Sequence, residues 1–133
     1  MGDKYKLPEI HPEFRLNKKA FTPAELRQAA YSMIKEGEPY EESIGSFLLD
    51  WLKPSVYIES HTSGSTGPPK KIKLRKEHLV NSAEASAKFF ELESGITALM
   101  CLPADYISGK MMLVRAMVLG WKLDAVPPSS NPL

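Results

Sequence analysis

The chain has very little cysteine. Cys101 is the only one in 133 residues, so no intramolecular disulfide can form, and its neighbours Leu99, Met100 and Leu102 mark it as a buried strand position. A reducing, cytoplasmic setting is the expectation. Charge of one sign is also missing, because 17 Lys and Arg stand against 16 Asp and Glu for a formal net charge of +1. No overall field is left to hold a polyanion, and nucleic-acid binding is not expected. No segment approaches the ~18 apolar residues of a membrane span. The opening MGDKYKLPEI places charges and a proline where a secretory signal needs an unbroken apolar run, and Lys6 stands where a myristoylation signal prefers Ser or Thr. His11, His61 and His78 are scattered, with no Cys-x-x-Cys or His-Glu-x-x-His spacing, so no protein-held metal is expected. Without a Gly-x-Ser-x-Gly pattern, Ser63 and Ser65 are not read as nucleophiles, and no residue of the chain is assigned a catalytic role.

What is present is the composition of a soluble globular core, 43% hydrophobic and 25% charged, at a length that fits one domain. Thr22-Pro23-Ala24-Glu25 combines an N-cap, a proline at the first helical position and a glutamate placed to close a capping box, so a helix is expected from there to about Lys35, stopped by Gly37. A second runs from about Glu41 to Leu52, with Ile44, Phe47, Leu48 and Trp51 at helical spacing, before Lys53-Pro54. Residues 1–54 are thus read as a helical lead-in.

Beyond Pro54 the period changes. Ser55 to Ser60 is β-prone and enters a Gly- and Ser-rich loop; Lys71 to Leu74 alternates as a return strand; Glu77 to about Leu92 reads as a helix closed by Gly95. Thr97 to Leu102 is a buried-type strand, Tyr106 to Leu119 an almost wholly apolar helix ended by Gly120, and Trp121 to Val126 a last strand. Residues 55–126 are therefore read as α/β with a mostly parallel sheet, in which sites lie in loops beyond the carboxyl ends of strands, and the loop at 61–70 is expected in such a place. Residues 127–133 have loop composition and are read as the truncated end of a fragment.

The chemistry is concentrated in Thr62-Ser63-Gly64-Ser65-Thr66-Gly67-Pro68-Pro69-Lys70, which holds four hydroxyls, two glycines and a lysine. Glycines let backbone N–H groups approach an anion, hydroxyls donate further hydrogen bonds, and lysine neutralises phosphate oxygens. The prolines stiffen the segment. It is not a Walker A loop, since Gly64 and Gly67 are separated by two residues and Lys70 is followed by Lys71, and it is not the Gly-x-Gly-x-x-Gly dinucleotide fingerprint.

Thr-Ser-Gly-Ser-Thr-Gly-x-Pro-Lys resembles the signature loop of the adenylate-forming superfamily: acyl-CoA synthetases, peptide-synthetase adenylation domains and luciferases. The resemblance implies part of the large N-terminal domain of such an enzyme, in which Thr62, Ser63, Gly64, Ser65, Thr66, Gly67 and Lys70 hold the β- and γ-phosphates of ATP and the departing pyrophosphate. It also implies ATP, Mg2+ and coenzyme A as cofactors, with a small-molecule carboxylic acid as the partner. Leu102-Pro103, Ser108-Gly109 and Arg115 are similar to a segment of o-succinylbenzoate:CoA ligases of menaquinone biosynthesis, with an arginine six residues after the glycine. That likeness implies that Ser108, Gly109 and Arg115 contact the acid. On a helix, Ser108, Met112 and Arg115 share a face, and Arg115 is suited to hold the carboxylate that is not adenylated; the other reading of Arg115 is an ion pair with Asp105 or Asp124. Met111, Met112 and Met117 are read as core filling.

Departures from the family pattern are Tyr106 in place of its usual histidine, Lys71 in place of the glycine after the loop lysine, and residues 1–54, which match nothing. The resemblance covers roughly residues 56–126. No counterpart of the family's Tyr-Gly-x-Thr-Glu segment, ribose-binding aspartate or C-terminal catalytic lysine precedes Leu133, so the chain alone is expected to be inactive. Another adenylating ligase, acting on aryl or fatty acids, and a non-catalytic anion-binding module remain open as alternatives. Lys110 is the second cation of the acid-side segment, and His61 is read as a packed strand-end residue.

Overall fold

The change of period at Pro54 separates helix from strand in the computed structural model of the chain, which describes residues 9–61, 71–91, 93, 95–100, 104 and 107–126, with backbone alone at His61, Phe90 and Ser108. Helix α1 (Pro23–Glu36) opens on the expected capping box: the Glu25 amide donates to the Thr22 hydroxyl at 3.2 Å and the Thr22 amide donates to the Glu25 carboxylate at 2.9 Å. Helix α2 (Pro39–Leu52) begins two residues earlier than the sequence suggested, because Glu38 and Glu41 form a second box and Pro39 occupies the first turn. The two helices pack on each other through Leu26 and Ala30 of α1 and Ile44, Gly45 and Leu48 of α2. A methyl at Gly45 would stand 2.6 Å from the Ala30 carbonyl oxygen, so the missing side chain is what allows so close an approach.

Strand β1 (Arg15–Leu16) was not expected. It pairs in parallel with β5 (Lys122–Ala125), which also pairs in parallel with β4 (Thr97–Met100), giving a sheet of order β1-β5-β4. The lead-in is therefore joined to the α/β portion and is not a purely helical preface. Helix α3 (Lys76–Phe90) and helix α4 (Ile107–Leu119) pack together, and α4 is the crossover between β4 and β5. Leu16, Met100, Leu113, Val114, Met117 and Leu123 form the buried seam between the parallel sheet and its helices.

Strands β2 (Tyr57–His61) and β3 (Lys71–Arg75) pair antiparallel as a sheet of their own, with Tyr57 opposite Arg75 and His61 opposite Lys71. This corrects the expected setting of residues 61–70, which connect antiparallel strands and do not follow a strand of the parallel sheet. Helix α3 ends at Phe90 on a left-handed Glu91, φ 54°, and not at Gly95. Gly95 instead turns the chain into β4 with φ 81°, its N–H bonded to the Gly120 carbonyl at 2.8 Å. Gly120 ends α4 as expected, with φ 78° and its N–H bonded to the Ala116 carbonyl at 3.0 Å. No helix among the described residues is long and apolar enough to cross a membrane.

Candidate functional site

Alternation along β2 and β3 divides the hairpin into two faces. Ile58 and Ser60 are buried, while Tyr57, Glu59, Lys71, Lys73 and Arg75 are exposed on the other side. The exposed face carries a Lys71–Glu59 ion pair at 3.6 Å, and the Arg75 guanidinium stands 5.9 Å from the centre of the Tyr57 ring. Such pairs contribute little in water, about 0–1 kcal/mol each, so the hairpin's position depends on its buried face. Residues 62–70, with Thr62, Ser63, Gly64, Ser65, Thr66, Gly67 and Lys70, lie outside the described residues. Their attachment points are described: β2 delivers the chain at His61 and β3 receives it at the paired Lys71.

The carboxyl end of α2 needs a cation and has none of its own in its last turn. Lys76, at the first position of α3, supplies it. Its side chain is fully buried, and its ammonium donates to the Trp51 carbonyl at 2.9 Å and to the Lys53 carbonyl at 2.8 Å. The same nitrogen stands 5.9 Å from the centre of the Trp51 ring. Burial pushes the Lys76 pKa down to about 8; Asp50 pulls it back up and Lys53 pushes it further down. Nothing in the sequence distinguished this lysine from an exposed residue of a helical first turn, because the partners that bury it are backbone carbonyls 23 and 25 positions away. Ser60 was also missed. Its hydroxyl is buried one residue before His61 and makes no hydrogen bond with a described residue.

On the acid side, Gly109 and Lys110 are buried in the first turn of α4, and Ser108 is placed there by its backbone. Lys110 does not present its charge to solvent, since its ammonium donates to the Ala104 carbonyl and stands 5.9 Å from the centre of the Phe47 ring. Met112 and Arg115 are half-buried whereas Met111, Leu113, Val114, Ala116 and Met117 are buried, so the face inferred for Ser108, Met112 and Arg115 coincides with the least covered side of α4. Arg115 makes no ion pair with a described residue, Asp124 included; Asp105, like Cys101, Leu102, Pro103 and Tyr106, lies outside the described residues. Among the described residues no three His, Cys, Asp or Glu come together as metal ligands.

A solved structure from Dyadobacter fermentans DSM 18053, an acyl-CoA synthetase (AMP-forming)/AMP-acid ligase II-like protein, matches this chain with a TM-score of 0.68 at 38% identity, over 80% of this chain and 31% of that one. The D-alanine–D-alanyl carrier protein ligase of Lacticaseibacillus rhamnosus is 32% identical over 71 residues, which are 53% of this chain and 14% of that ligase. No protein-family model matches. The chain thus spans under a third of each relative, and within that span its α/β fold matches a fragment of the N-terminal domain of an adenylate-forming enzyme, with a ligase as its relative in sequence and an AMP-forming acyl-CoA synthetase-like protein in structure.

Proposed function

We propose that this chain is the phosphate-handling part of an ATP-dependent acid:CoA ligase whose acid is o-succinylbenzoate. The observation that carries the reading is the antiparallel pairing of His61 with Lys71, the two residues that flank a Gly-, Ser- and Thr-rich segment ending in Lys70. Thr62, Ser63, Gly64, Ser65, Thr66, Gly67 and Lys70 hold the β- and γ-phosphates by N–H donors, hydroxyls and one ammonium. A carboxylate oxygen attacks the α-phosphorus, and the bond to the bridging oxygen breaks. Pyrophosphate leaves with its charge stabilised by the same donors, and the coenzyme A thiolate then displaces AMP from the acyl-adenylate. Magnesium, which such chemistry uses, is given no protein ligand among the described residues.

Arg115 supports the choice of acid. A half-buried guanidinium without an ion pair among the described residues, on the open side of a mostly apolar helix, suits a dicarboxylic aromatic acid that keeps one carboxylate free of adenylation. Ser108 and Gly109, in the first turn of the same helix, complete the proposed acid contact. The likeness to a D-alanine ligase favours a second reading, an adenylating ligase for a different small acid.

The test is acid-dependent exchange of labelled pyrophosphate into ATP by the longest chain the reading frame encodes, with o-succinylbenzoate, benzoate, D-alanine and fatty acids compared. Exchange with o-succinylbenzoate alone is expected. Exchange with another acid keeps the ligase and discards the Arg115 contact, and a folded chain that exchanges with none leaves an anion-binding module.

A further inference from the structure

We infer that Arg15, Lys18, Thr97, Lys122 and Asp124 form a binding site for a small phosphate monoester that carries a hydroxyl. The site is built on the exposed face of the parallel sheet and uses none of residues 62–70. Its five residues line a cavity of about 330 Å³, at the small end of the roughly 300–1,000 Å³ that small-molecule sites span. Arg15 pairs with Lys122 and Lys122 with Thr97, so the three stand in one row across β1, β5 and β4, about 4.8 Å apart. Leu16 and Leu123, the next residues along their strands, are buried on the opposite face.

The arrangement works against stability in two ways. Like charges directly opposite each other on paired strands destabilise a sheet, and Arg15 is paired with Lys122. Lys18 adds a third cation from a tight turn, across which Leu16 and Lys19 exchange backbone hydrogen bonds of 3.0 and 3.1 Å. Both central residues are left-handed, Asn17 at φ 51° and Lys18 at φ 71°. Such turns favour Asn followed by Gly, because glycine enters that conformation without a side-chain clash, and here lysine stands in the glycine place. The turn is tied to β5 as well: the Asn17 N–H donates to the Leu123 carbonyl and the Asn17 side-chain oxygen accepts from the Ala125 N–H, both at 2.9 Å. Among the described residues neither the three cations nor Asp124 is in an ion pair. Strain and repulsion gathered at one cavity are what a ligand of opposite charge relieves.

Three cations and one carboxylate leave two positive charges, which match a phosphate monoester, mostly a dianion at neutral pH. Arg15 is already oriented. Its Nη1 donates to the Pro12 and Phe14 carbonyls, both at 2.9 Å, while its other two nitrogens take no described partner. A phosphate offers three oxygens to the separate cations and the Thr97 hydroxyl, where a carboxylate offers two. Asp124 accepts hydrogen bonds and donates none, so it repels a bare anion and favours a ligand with a hydroxyl to donate.

The experiment follows amide shifts of the isotope-labelled chain as inorganic phosphate or ribose 5-phosphate is added, with sodium chloride holding the ionic strength constant. Residues 15–18, 97–99 and 122–124 are expected to move together, with ribose 5-phosphate binding about threefold or more tighter than inorganic phosphate. Shifts confined to 57–60 and 71–75, or none at all, overturn the inference. Lys122→Thr and Lys18→Gly should each weaken both probes by about threefold to fivefold, and Lys35→Gln, at an exposed position on α1, should leave both unchanged. Lys18→Gly should also melt about 2–4 °C higher, because its left-handed strain is gone. Unaltered binding in that variant overturns the site, and so does a lower midpoint, since Lys18 would then be serving the turn. Asp124→Ala should strengthen inorganic phosphate by about twofold and remove the preference for the ester. Weaker binding of both probes in Asp124→Ala overturns the hydroxyl-bearing ester as the ligand.

Discussion

A guanidinium in a mostly apolar helix has to be satisfied by something, and at Arg115 no described side chain does so. Arg115→Met should therefore leave unfolding by urea within about 0.5 kcal/mol of the unaltered chain, since no ion pair is lost. In the complete enzyme the same substitution should cost about 2–5 kcal/mol toward o-succinylbenzoate if the guanidinium meets its second carboxylate. An equal loss with monocarboxylic acids would remove the assignment. Lys76 has a different signature, because its charge is buried. Its folded pKa of about 8 lies below the ordinary 10.5. Between those values the unfolded chain binds more protons, so stability rises with pH across that window, by at most about 3 kcal/mol. Urea midpoints from pH 7.5 to 10 should show that rise relative to Lys76→Met; parallel curves would place the ammonium in contact with water.

Gly45 shows how packing overrides local preference. Alanine in place of glycine within a helix gains about 1 kcal/mol of propensity. At Gly45 the added methyl meets the Ala30 carbonyl at 2.6 Å, so Gly45→Ala should lower thermal stability in spite of that gain. Gly120→Ala faces two obstacles, a φ of 78° and a methyl that would run into the His11 ring. It should cost about 2 kcal/mol or more, and adding His11→Ala should return only the steric share, which a double-mutant cycle separates. The elements whose boundaries the sequence revealed are those with local causes. Thr22 and Glu25 cap their own helix, and Gly120 ends its own. Glu91 took the place assigned to Gly95 because an L-residue can adopt a left-handed cap when the turn requires it, and glycine alone is no marker of the stop. Strand β1 carries too few residues to show any period, and its partner is more than a hundred positions away, so only the folded chain reveals it. The buried Lys76 was not readable, because its partners are backbone carbonyls at the end of another helix.

The described residues form two sheets, and they should not be equally durable. The parallel sheet, with α4 packed on β5, keeps Leu123 and Met100 essentially inaccessible, while the hairpin offers Ile58 as its fully buried apolar contact and exposes its charged face. Native-state hydrogen exchange should find the amides of β2 and β3 opening at lower free energy than those of β4 and β5. Equal protection would mean that the hairpin and the parallel sheet open as one unit.

Pairing of Arg15 with Lys122 and of Leu16 with Leu123 also fixes an order of events during synthesis. The amide of Ala125 donates to the Asn17 side chain at 2.9 Å across a separation of 108 residues, so the first strand made must wait for the last one before either finds its neighbour. The α1–α2 pair needs only what has already emerged from the ribosome and can form early, with β1 trailing unpaired beside it. A nascent chain halted near residue 119 should accordingly show protected helices and an accessible Phe14 to Leu16, and release of a few more residues should bury that segment in a single late step.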